Sequence, residues 1–449
     1  MSKYGRLARE LVSVNRRFLR DPGFRKTVRP ATSTTSAAVP PATPRRAPEP
    51  ARSRLAYPPR ADLYEGLGGS SLELSRITTG PTSPCVNLVL ADIVADGIFA
   101  GVRTALQAGA SLADATARPL RIVLASVQDP ARDLGAVRAL VLEQFPDLDD
   151  RLSIVSGAFL PHTVVSADDI WVVTYWTTAH AAQVACRLGV LDADHVVYLV
   201  QDYEPGFSAW SSSFALTRMT YHAGFRHLVN SLPLARYLER HEGLVTDPSH
   251  VFGPALELDR LAEVAASRRS SDTARIFFYG RPSRPRNLYP IGITALRVAV
   301  DQLAAQGVPV DVVSAGHAQD DVDLGHGVAL RSAGMLSWSD YYALLGTVDV
   351  GLSLQHSPHP SHPPFDLAVS GARAVTNDFD GSRNRLHPGI RAVECDPDVL
   401  GAAVAAAAHE ALAQGPRPYE APSVDELGGG LDDAVRSLAA TLPSAVVAG

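Results

Sequence analysis

Residues 350–379, VGLSLQHSPHPSHPPFDLAVSGARAVTNDF, show the pattern on which the predicted fold depends. A short apolar run at 350–354 leads into the segment 357–364, which holds four prolines and two histidines. A helical segment with the acid Asp366 follows, and then a second apolar run at 374–376. Strand, loop, helix and strand in this order are half of a doubly wound α/β sheet, whose ligands bind at the carboxyl ends of its strands. The stretch therefore predicts a parallel sheet with a proline-rich loop at its ligand-binding edge.

The proline-rich loop has two interpretations. Its prolines cannot continue either neighbouring element, and a stiff polar loop before a helix suits an anion or a sugar hydroxyl. The alternative is a surface connection without a ligand. His356, His359 and His362 recur every three residues. Only a helix would direct that spacing at one ion, and the prolines prevent a helix, so no metal site is predicted.

Length and composition indicate a globular chain of two or three domains. The chain has 449 residues, of which 46% are hydrophobic and 20% are charged. Its three cysteines, Cys85, Cys186 and Cys395, lie far apart in the sequence and in no metal-binding spacing, which favours a reducing compartment. No apolar run of about twenty residues predicts a membrane-spanning helix, and the first residues lack the core of a signal peptide. A cytoplasmic location is expected.

The N-terminal segment is basic. Residues 1–60 contain 14 Lys and Arg against 3 Asp and Glu, whereas the whole chain has a net charge of −6. Residues 1–29 are predicted to form a basic amphipathic helix, which either contacts the inner face of a membrane or packs on the protein itself. Residues 30–83, rich in Pro, Ala and Arg, are predicted to be a disordered linker. Because the body is acidic, nucleic acid is not an expected partner.

After this linker, apolar runs alternate with helical segments, and this pattern occurs in two successive blocks of the chain. The predicted strands are 86–90, 121–125, 152–155, 171–174, 195–200, 275–279, 308–313, 327–330, 350–354 and 374–376. Such alternation is typical of βαβ units with right-handed crossovers. We predict an α/β fold with two Rossmann-like, doubly wound domains that face each other across a cleft, at 84–265 and 272–415. A tail or helix at 416–449 could return to the N-terminal domain.

The segment QDYEPGF at 201–207 follows a predicted buried strand, with Trp210 close behind. Its carboxylates, Asp202 and Glu204, are candidate acids or bases, or ligands of sugar hydroxyls or of a divalent cation. The alternative is that Asp202 caps the next helix and Glu204 pairs with a basic side chain.

The segment GRPSRPRN at 280–287 carries three arginines, Arg281, Arg284 and Arg286, between a strand and a helix. Guanidinium groups suit a diphosphate, and the helix N-terminus adds partial positive charge. The alternative is a solvated basic loop. The chain has no G-x-G-x-x-G after its first strand, no P-loop and no G-x-S-x-G. These absences disfavour nicotinamide-dependent oxidoreductases and the common α/β-hydrolases.

Four segments in this order, 99–101, 201–207, 280–288 and 357–364, resemble glycosyltransferase family 4 of the GT-B class, and within it the WsaF type of rhamnosyltransferase. The resemblance implies a nucleotide-sugar donor, dTDP-L-rhamnose, on the second domain. It also implies a glycan or lipid-linked glycan acceptor on the first domain. Transfer with retention, in cell-surface polysaccharide synthesis and without a metal or other cofactor, is the expected reaction.

The resemblance also implies roles for single residues. Arg281 matches the family's phosphate-binding arginine, and Asp366 stands where the family has a Glu on the donor's ribose or sugar. The candidate donor-binding residues are Arg281, Arg286, Asn287, Gly334, Met335, His359, His362, Pro363 and Asp366. The candidate catalytic residues are Asp202 and Glu204, and the candidate acceptor-side residues are Gly101, Tyr203, Phe207 and Trp210.

Two positions depart from the WsaF pattern. Met335 stands in place of a Lys that faces the diphosphate, and His362 stands in place of a Tyr. Arg284, Arg286 or a protonated His362 are candidates for the missing charge. Two alternatives stay open: a UDP- or GDP-linked donor, and a non-catalytic glycan-binding or scaffold protein with the same fold.

Overall fold

The computed structural model describes residues 67, 72–93, 100–126 and 132–443. The segment 1–29 and most of the segment 30–83 lie outside the described residues, so the expectations for a basic helix and a disordered linker stay predictions. All described residues belong to one compact unit. Among the described helices, none is both long enough and apolar enough to cross a bilayer.

The N-terminal domain is built on a parallel, seven-stranded sheet. Its strands, with the small separate pair β1 and β5, are β1 (Thr78–Thr79), β2 (Val86–Leu90), β3 (Leu120–Leu124), β4 (Leu152–Ser156), β5 (Val164–Val165), β6 (Ile170–Val173), β7 (Val196–Val200), β8 (Arg226–Asn230) and β9 (Val251–Phe252). Its helices are α1 (Ala100–Thr116), α2 (Leu134–Gln144), α3 (Trp176–Arg187), α4 (Ser212–Tyr221) and α5 (Leu232–Glu242). The strand order is β4-β3-β2-β6-β7-β8-β9.

The apolar strands explain why this sheet is covered on both faces. All five residues of β7 are buried. Val197 and Leu199 pack into the cluster that contains α1 and α2, whereas Val196, Tyr198 and Val200 pack into the cluster that contains α3 and α5. Successive side chains of a strand point to opposite faces. A strand covered on both sides is therefore a continuous apolar run, as the sequence pattern predicts.

The C-terminal domain repeats this construction. Its strands are β10 (Ala274–Gly280), β11 (Val310–Gly316), β12 (Val322–Gly325), β13 (Val328–Ser332), β14 (Val350–Leu352), β15 (Arg373–Asn377) and β16 (Ile390–Val393). The remaining helices are α6 (Leu258–Ser267), α7 (Tyr289–Ala305), α8 (Trp338–Leu345), α9 (Pro363–Val369), α10 (Pro397–Gln414), α11 (Val424–Leu427) and α12 (Leu431–Ala439). The strand order is β12-β13-β11-β10-β14-β15-β16, and only β12 pairs antiparallel in this sheet. The prediction of two doubly wound α/β domains is confirmed.

Helix α6 changes the position of the domain boundary. The sequence pattern predicts an N-terminal domain that ends at residue 265, but Leu261 and Val264 of α6 pack with Phe277 and Phe365 in the C-terminal core. By core membership the chain changes domain between β9 and α6. The residues between 265 and 272, where the sequence pattern places the domain boundary, lie between a helix and a strand of the same domain.

Helix α12 belongs to the N-terminal domain. Its apolar side chains Leu431, Val435 and Leu438 pack in the same cluster as β2 and α1. The backbone N–H of Gly253 donates to the carbonyl of Gly429 at 2.9 Å. The chain therefore crosses between the two domains twice, once before α6 and once before α12.

The second sheet places two loops side by side. Strands β11 and β14 flank β10 on opposite sides, so the chain reverses direction across the sheet between β10 and β14. Such a switch point is where open α/β sheets bind ligands. The arginine loop follows β10, and the proline-rich loop follows β14. Gly351 allows α9 to pack closely over β14, because a Cβ there would lie 2.1 Å from Leu367 Cδ1.

Candidate functional site

A cavity of about 540 Å³ lies between the two domains, at the switch point of the second sheet. The N-terminal domain contributes one face of α1, and the C-terminal domain contributes the ends of β10 and β11 with parts of α8 and α9. The sequence-predicted residues that line this cavity are Gly101, Arg281, Arg286, Met335, His362, Pro363 and Asp366. The expected cleft between two Rossmann-like domains, as in the GT-B class, is thus confirmed.

Arg281 is held at the cavity by a neutral histidine. Its Nε donates to His317 Nε2 at 3.3 Å, and His317 Nδ1 lies 2.9 Å from Ser283 Oγ. Burial lowers the pKa of His317, and the neighbouring Arg281 and Arg284 lower it further. A neutral ring accepts at Nε2 and donates at Nδ1, so the terminal nitrogens of Arg281 stay available to a ligand. Sequence reasoning missed His317, although it follows β11 as Arg281 follows β10.

Asp366 brings a buried carboxyl to the same cavity. The residue is 5% exposed, and its Oδ2 accepts a hydrogen bond from the Tyr341 hydroxyl at 2.9 Å. Burial raises the pKa of Asp366 to about 7, against the lowering effect of the Tyr341 bond. A carboxyl with one oxygen held by Tyr341 can use the other for a ligand hydroxyl. Tyr341 was also missed, although Trp338, Tyr341 and Tyr342 are grouped at the start of α8.

The histidines of the proline-rich loop are neutral. Burial lowers the pKa of His362 to about 4 and the pKa of His359 to about 3. Their rings stack with centroids 6.4 Å apart. A protonated His362 therefore cannot replace the missing Lys near neutral pH, which corrects that expectation. His362 lines the cavity as an uncharged ring, whereas His359 lies behind it.

Met335 stands where the WsaF pattern has a Lys, so this part of the cavity has no charge from that position. Its side chain is 62% exposed and lines the cavity. The preceding Gly334 has a left-handed backbone, with φ at +68°, and its carbonyl accepts from the Gly316 N–H at 2.9 Å. Gly334 itself shapes the turn and does not line the cavity. On the opposite wall, Arg103 Nη1 lies 2.5 Å from Glu257 Oε1, a pair that sequence reasoning did not anticipate.

Asp202 joins the two domains and does not face the cavity. It is 8% exposed and accepts hydrogen bonds from the Tyr203 N–H and the Ser357 hydroxyl. Its Oδ2 lies 3.6 Å from Arg286 Nε, and the Arg286 guanidinium stacks over Phe207 at 4.3 Å. The loop at 201–207 therefore contacts Arg286 and Ser357 of the other domain. These contacts indicate a role of Asp202 between the two domains, and its catalytic role stays a prediction.

Glu204 is a buried structural carboxyl. It is 3% exposed, and its Oε2 accepts from the Trp176 N–H at 2.5 Å and from the Tyr198 hydroxyl at 3.1 Å. The Trp176 N–H is one of the backbone donors at the start of α3 that have no acceptor within the helix itself. Burial raises the pKa of Glu204 to about 8. These contacts turn the carboxyl inward and indicate a structural role, and the catalytic role of Glu204 stays a prediction.

The remaining predicted residues lie outside the cavity. Asn287 is buried and donates to the Leu354 carbonyl at 3.2 Å, where it joins the two loops. The Tyr203 hydroxyl lies 2.6 Å from Glu242 Oε1 within the N-terminal domain. Trp210 is 89% exposed and stacks on Phe214. Phe99, part of the 99–101 motif, lies outside the described residues.

Two regions of the chain match the two domains of one family. Residues 85–230 match the N-terminal domain of WsaF, and residues 274–405 match its C-terminal domain. The chain belongs to the WsaF family. The two matches together span more than half of the chain.

This WsaF-family chain is similar to one curated protein and to several solved structures. O-antigen biosynthesis protein RfbC of Myxococcus xanthus is 31% identical over 238 residues, which cover 53% of this chain and 18% of RfbC. The chain thus spans about a fifth of that relative's length. An α,α-trehalose-phosphate synthase of Burkholderia vietnamiensis has a TM-score of 0.46 at 13% identity, covering 80% of this chain and 99% of its own. Sucrose-phosphate synthase of Thermosynechococcus elongatus has a TM-score of 0.46 at 14% identity, covering 80% and 94%.

Proposed function

We propose that this WsaF-family protein is a glycosyltransferase, in the hexosyltransferase class, that builds a cell-surface polysaccharide such as O-antigen. Its substrates are a nucleoside diphosphate sugar and a glycan or lipid-linked glycan acceptor. The observation that carries the proposal is the interdomain cavity, which is lined both by Arg281, directly after β10, and by Asp366, in helix α9 after the adjacent strand β14. Membership of the WsaF family and the name of the relative RfbC support the polysaccharide pathway.

The cavity supplies positive charge at the place where negative charge develops during the reaction. In the transfer, the bond from the sugar's anomeric carbon to the diphosphate breaks, and a bond to the acceptor oxygen forms. The acceptor hydroxyl releases its proton to water, and the diphosphate leaves with one added negative charge. Arg281, oriented by His317, is aimed at that charge. Preorganised donors of this kind are commonly the largest catalytic contribution.

Asp366 fixes the donor by its hydroxyl groups. Its carboxyl, held by Tyr341, accepts a hydrogen bond from the ribose or the sugar. Arg281 supplies the cation for the diphosphate, and Arg286, which is paired with Asp202, also lines the cavity. We propose transfer without a metal ion. We name no protein nucleophile.

The proposed donor is dTDP-L-rhamnose, transferred with retention, on the basis of the WsaF membership. Met335 provides the reason to keep two alternatives. Without the Lys that the WsaF type has there, a UDP- or GDP-linked donor is the first alternative. A glycan-binding protein without transfer is the second.

The proposed location is the cytoplasm, peripheral to the inner face of the membrane. The basic composition of residues 1–29 supports it. Deletion of residues 1–29 should abolish binding to vesicles that contain phosphatidylserine. Unchanged vesicle binding would contradict the membrane contact and leave the transferase proposal as it stands.

A thermal-shift panel with dTDP, UDP, GDP and their sugars tests the donor. A ligand at about 100 times its Kd stabilises the folded state by about 2.7 kcal/mol. A shift selective for dTDP and dTDP-L-rhamnose, together with sugar transfer seen by mass spectrometry, is the expected result. A selective shift with UDP or GDP compounds would change the donor, and no shift with any nucleotide would refute the transferase.

A further inference from the structure

A second, open groove adjoins the donor cavity along helix α1. This groove has a volume of about 580 Å³ and shares Arg103, Gln107 and Trp338 with the donor cavity. Its floor continues through Ser111 to Asp114, on the same face of the helix. Side chains four residues apart lie on one face of a helix. With a rise of 1.5 Å per residue, this floor is about 16 Å long. We call it the α1 groove.

The walls of the α1 groove combine amides with aromatic rings. Gln144 and Phe145 at the end of α2 form one wall, and Trp338 forms another. The side-chain amides of Gln107 and Gln144 have no hydrogen-bond partner within the part of the chain that the structure describes. An amide both donates and accepts, and so does a sugar hydroxyl. Pockets that bind small polar ligands combine such groups with aromatic surface.

The charges of the α1 groove argue against a phosphate ligand. Its charged lining residues are one arginine, Arg103, and two acids, Asp114 and Asp432. Arg103 is paired with Glu257, so the groove offers an anion no free cation among the described lining residues. The diphosphate-binding Arg281 lies in the donor cavity and does not line this groove. A neutral saccharide suits this lining better than a nucleotide or a lipid phosphate.

We propose that the α1 groove binds the acceptor saccharide chain, with its reacting end at Arg103, Gln107 and Trp338. The inference rests on the proposed transferase function and adds the path of the acceptor. Continuity with the donor cavity at those three residues brings the terminal hydroxyl next to the donor sugar. Further sugar units of the chain extend along α1 toward Asp114, beside the wall formed by Gln144 and Phe145.

The test uses variants in the wall of the groove, with a control on the same helix. Gln144 and the control Glu143 are both exposed, so Gln144→Ala and Glu143→Ala should fold. Phe145→Ala is the second groove variant, and its fold is checked by thermal unfolding because the ring packs partly on the core. The probe is O-antigen polysaccharide released by mild acid from the producing organism. Its binding to the full chain is measured by saturation-transfer NMR, and dTDP binding is measured by calorimetry.

Gln144→Ala and Phe145→Ala should each weaken saccharide binding about tenfold, by loss of one hydrogen bond or one ring contact. Their Kd for dTDP should be unchanged, and Glu143→Ala should match the wild type in both measurements. Wild-type saccharide affinity in folded Gln144→Ala and Phe145→Ala would overturn the inference. Equal loss of saccharide and dTDP binding would also overturn it, since the groove would then be part of the donor site. Failure of all variants and the wild type to bind dTDP, UDP or GDP, with groove-dependent saccharide binding retained, would refute the transferase alone.

Discussion

Replacing Glu204 by Gln distinguishes a structural carboxyl from a catalytic one. The Oε2 of Glu204 accepts from the Trp176 N–H and the Tyr198 hydroxyl, and the amide oxygen of Gln can accept both bonds. Glu204→Gln should therefore keep its fold and its transfer activity. A general acid or base at this position would instead make the variant about 10²–10⁴-fold slower.

The raised pKa of Glu204 sets the expected change in stability. Burial raises this pKa to about 8 from an ordinary value of 4.5. Below pH 4.5 the carboxyl is protonated in both the folded and the unfolded state. As the pH rises toward 8, only the unfolded state has ionised, so the folded wild type loses stability by about 1.4 kcal/mol per pH unit. Glu204→Gln does not titrate, so its advantage over the wild type should reach about 3 kcal/mol at pH 7 and about 5 kcal/mol above pH 8.

Unfolding in urea at about pH 5, 7 and 8.5, followed by a transfer assay at pH 7, measures both effects. Glu204→Ala is the matched comparison, since it leaves the Trp176 N–H without an acceptor and should cost about 1–3 kcal/mol. Loss of transfer in a folded Glu204→Gln protein would support the catalytic role. A constant stability difference between Glu204→Gln and the wild type at all three pH values would refute the raised pKa.

Three further predictions concern residues that line the donor cavity. Because the Asp366 carboxyl is protonated below about pH 7, dTDP-sugar affinity should fall up to about tenfold from pH 8 to pH 6, and Asp366→Asn should remove this dependence in calorimetry. Met335→Lys should tighten dTDP binding about tenfold at low salt, a gain that an uncharged Met335→Gln should not show. Arg286→Ala, which leaves buried Asp202 without its cation, should lower stability by about 2–4 kcal/mol in urea unfolding. Unchanged affinity in the first two cases, or unchanged stability in the third, would contradict the geometry.

The sheet and its two loops could be predicted because their signals are local. The apolar runs and turn residues at 350–379 are sufficient to indicate β14, α9 and β15, which the structure places at Val350–Leu352, Pro363–Val369 and Arg373–Asn377. Parallel strands of an α/β sheet share one edge for their carboxyl ends, so the sequence also indicates where the loops meet. Arg281 follows from that rule, whereas the role expected of Asp366 came from the family resemblance.

The direction of single side chains could not be predicted in the same way. Asp202 and Glu204 do follow β7, but a 3-10 turn at Glu204–Phe207 directs their carboxyls toward partners far along the chain. Those partners, Ser357 and Trp176, come from another domain and another βα unit. The contacts of His317 and Tyr341 with Arg281 and Asp366 are likewise long-range, and no periodicity in the sequence encodes them.

The domain against which α6 packs could not be predicted for a related reason. Its apolar residues Leu261 and Val264 indicate an amphipathic helix, but they do not indicate which of two neighbouring domains that helix covers. The change to polar composition after the helix is more pronounced than the change in composition before it. Only the contacts with Phe277 and Phe365 settle its domain.

Calorimetric titration of dTDP into Arg281→Ala tests the central claim, that Arg281 binds a diphosphate in the interdomain cavity. The control is Arg284→Ala, because Arg284 belongs to the same loop but is exposed and does not line the cavity. Loss of charge-assisted hydrogen bonds worth about 1.5–3 kcal/mol should weaken dTDP binding about 10- to 150-fold in Arg281→Ala. Thymidine affinity should stay unchanged in that variant, and Arg284→Ala should match the wild type. Wild-type dTDP affinity in folded Arg281→Ala would contradict the claim.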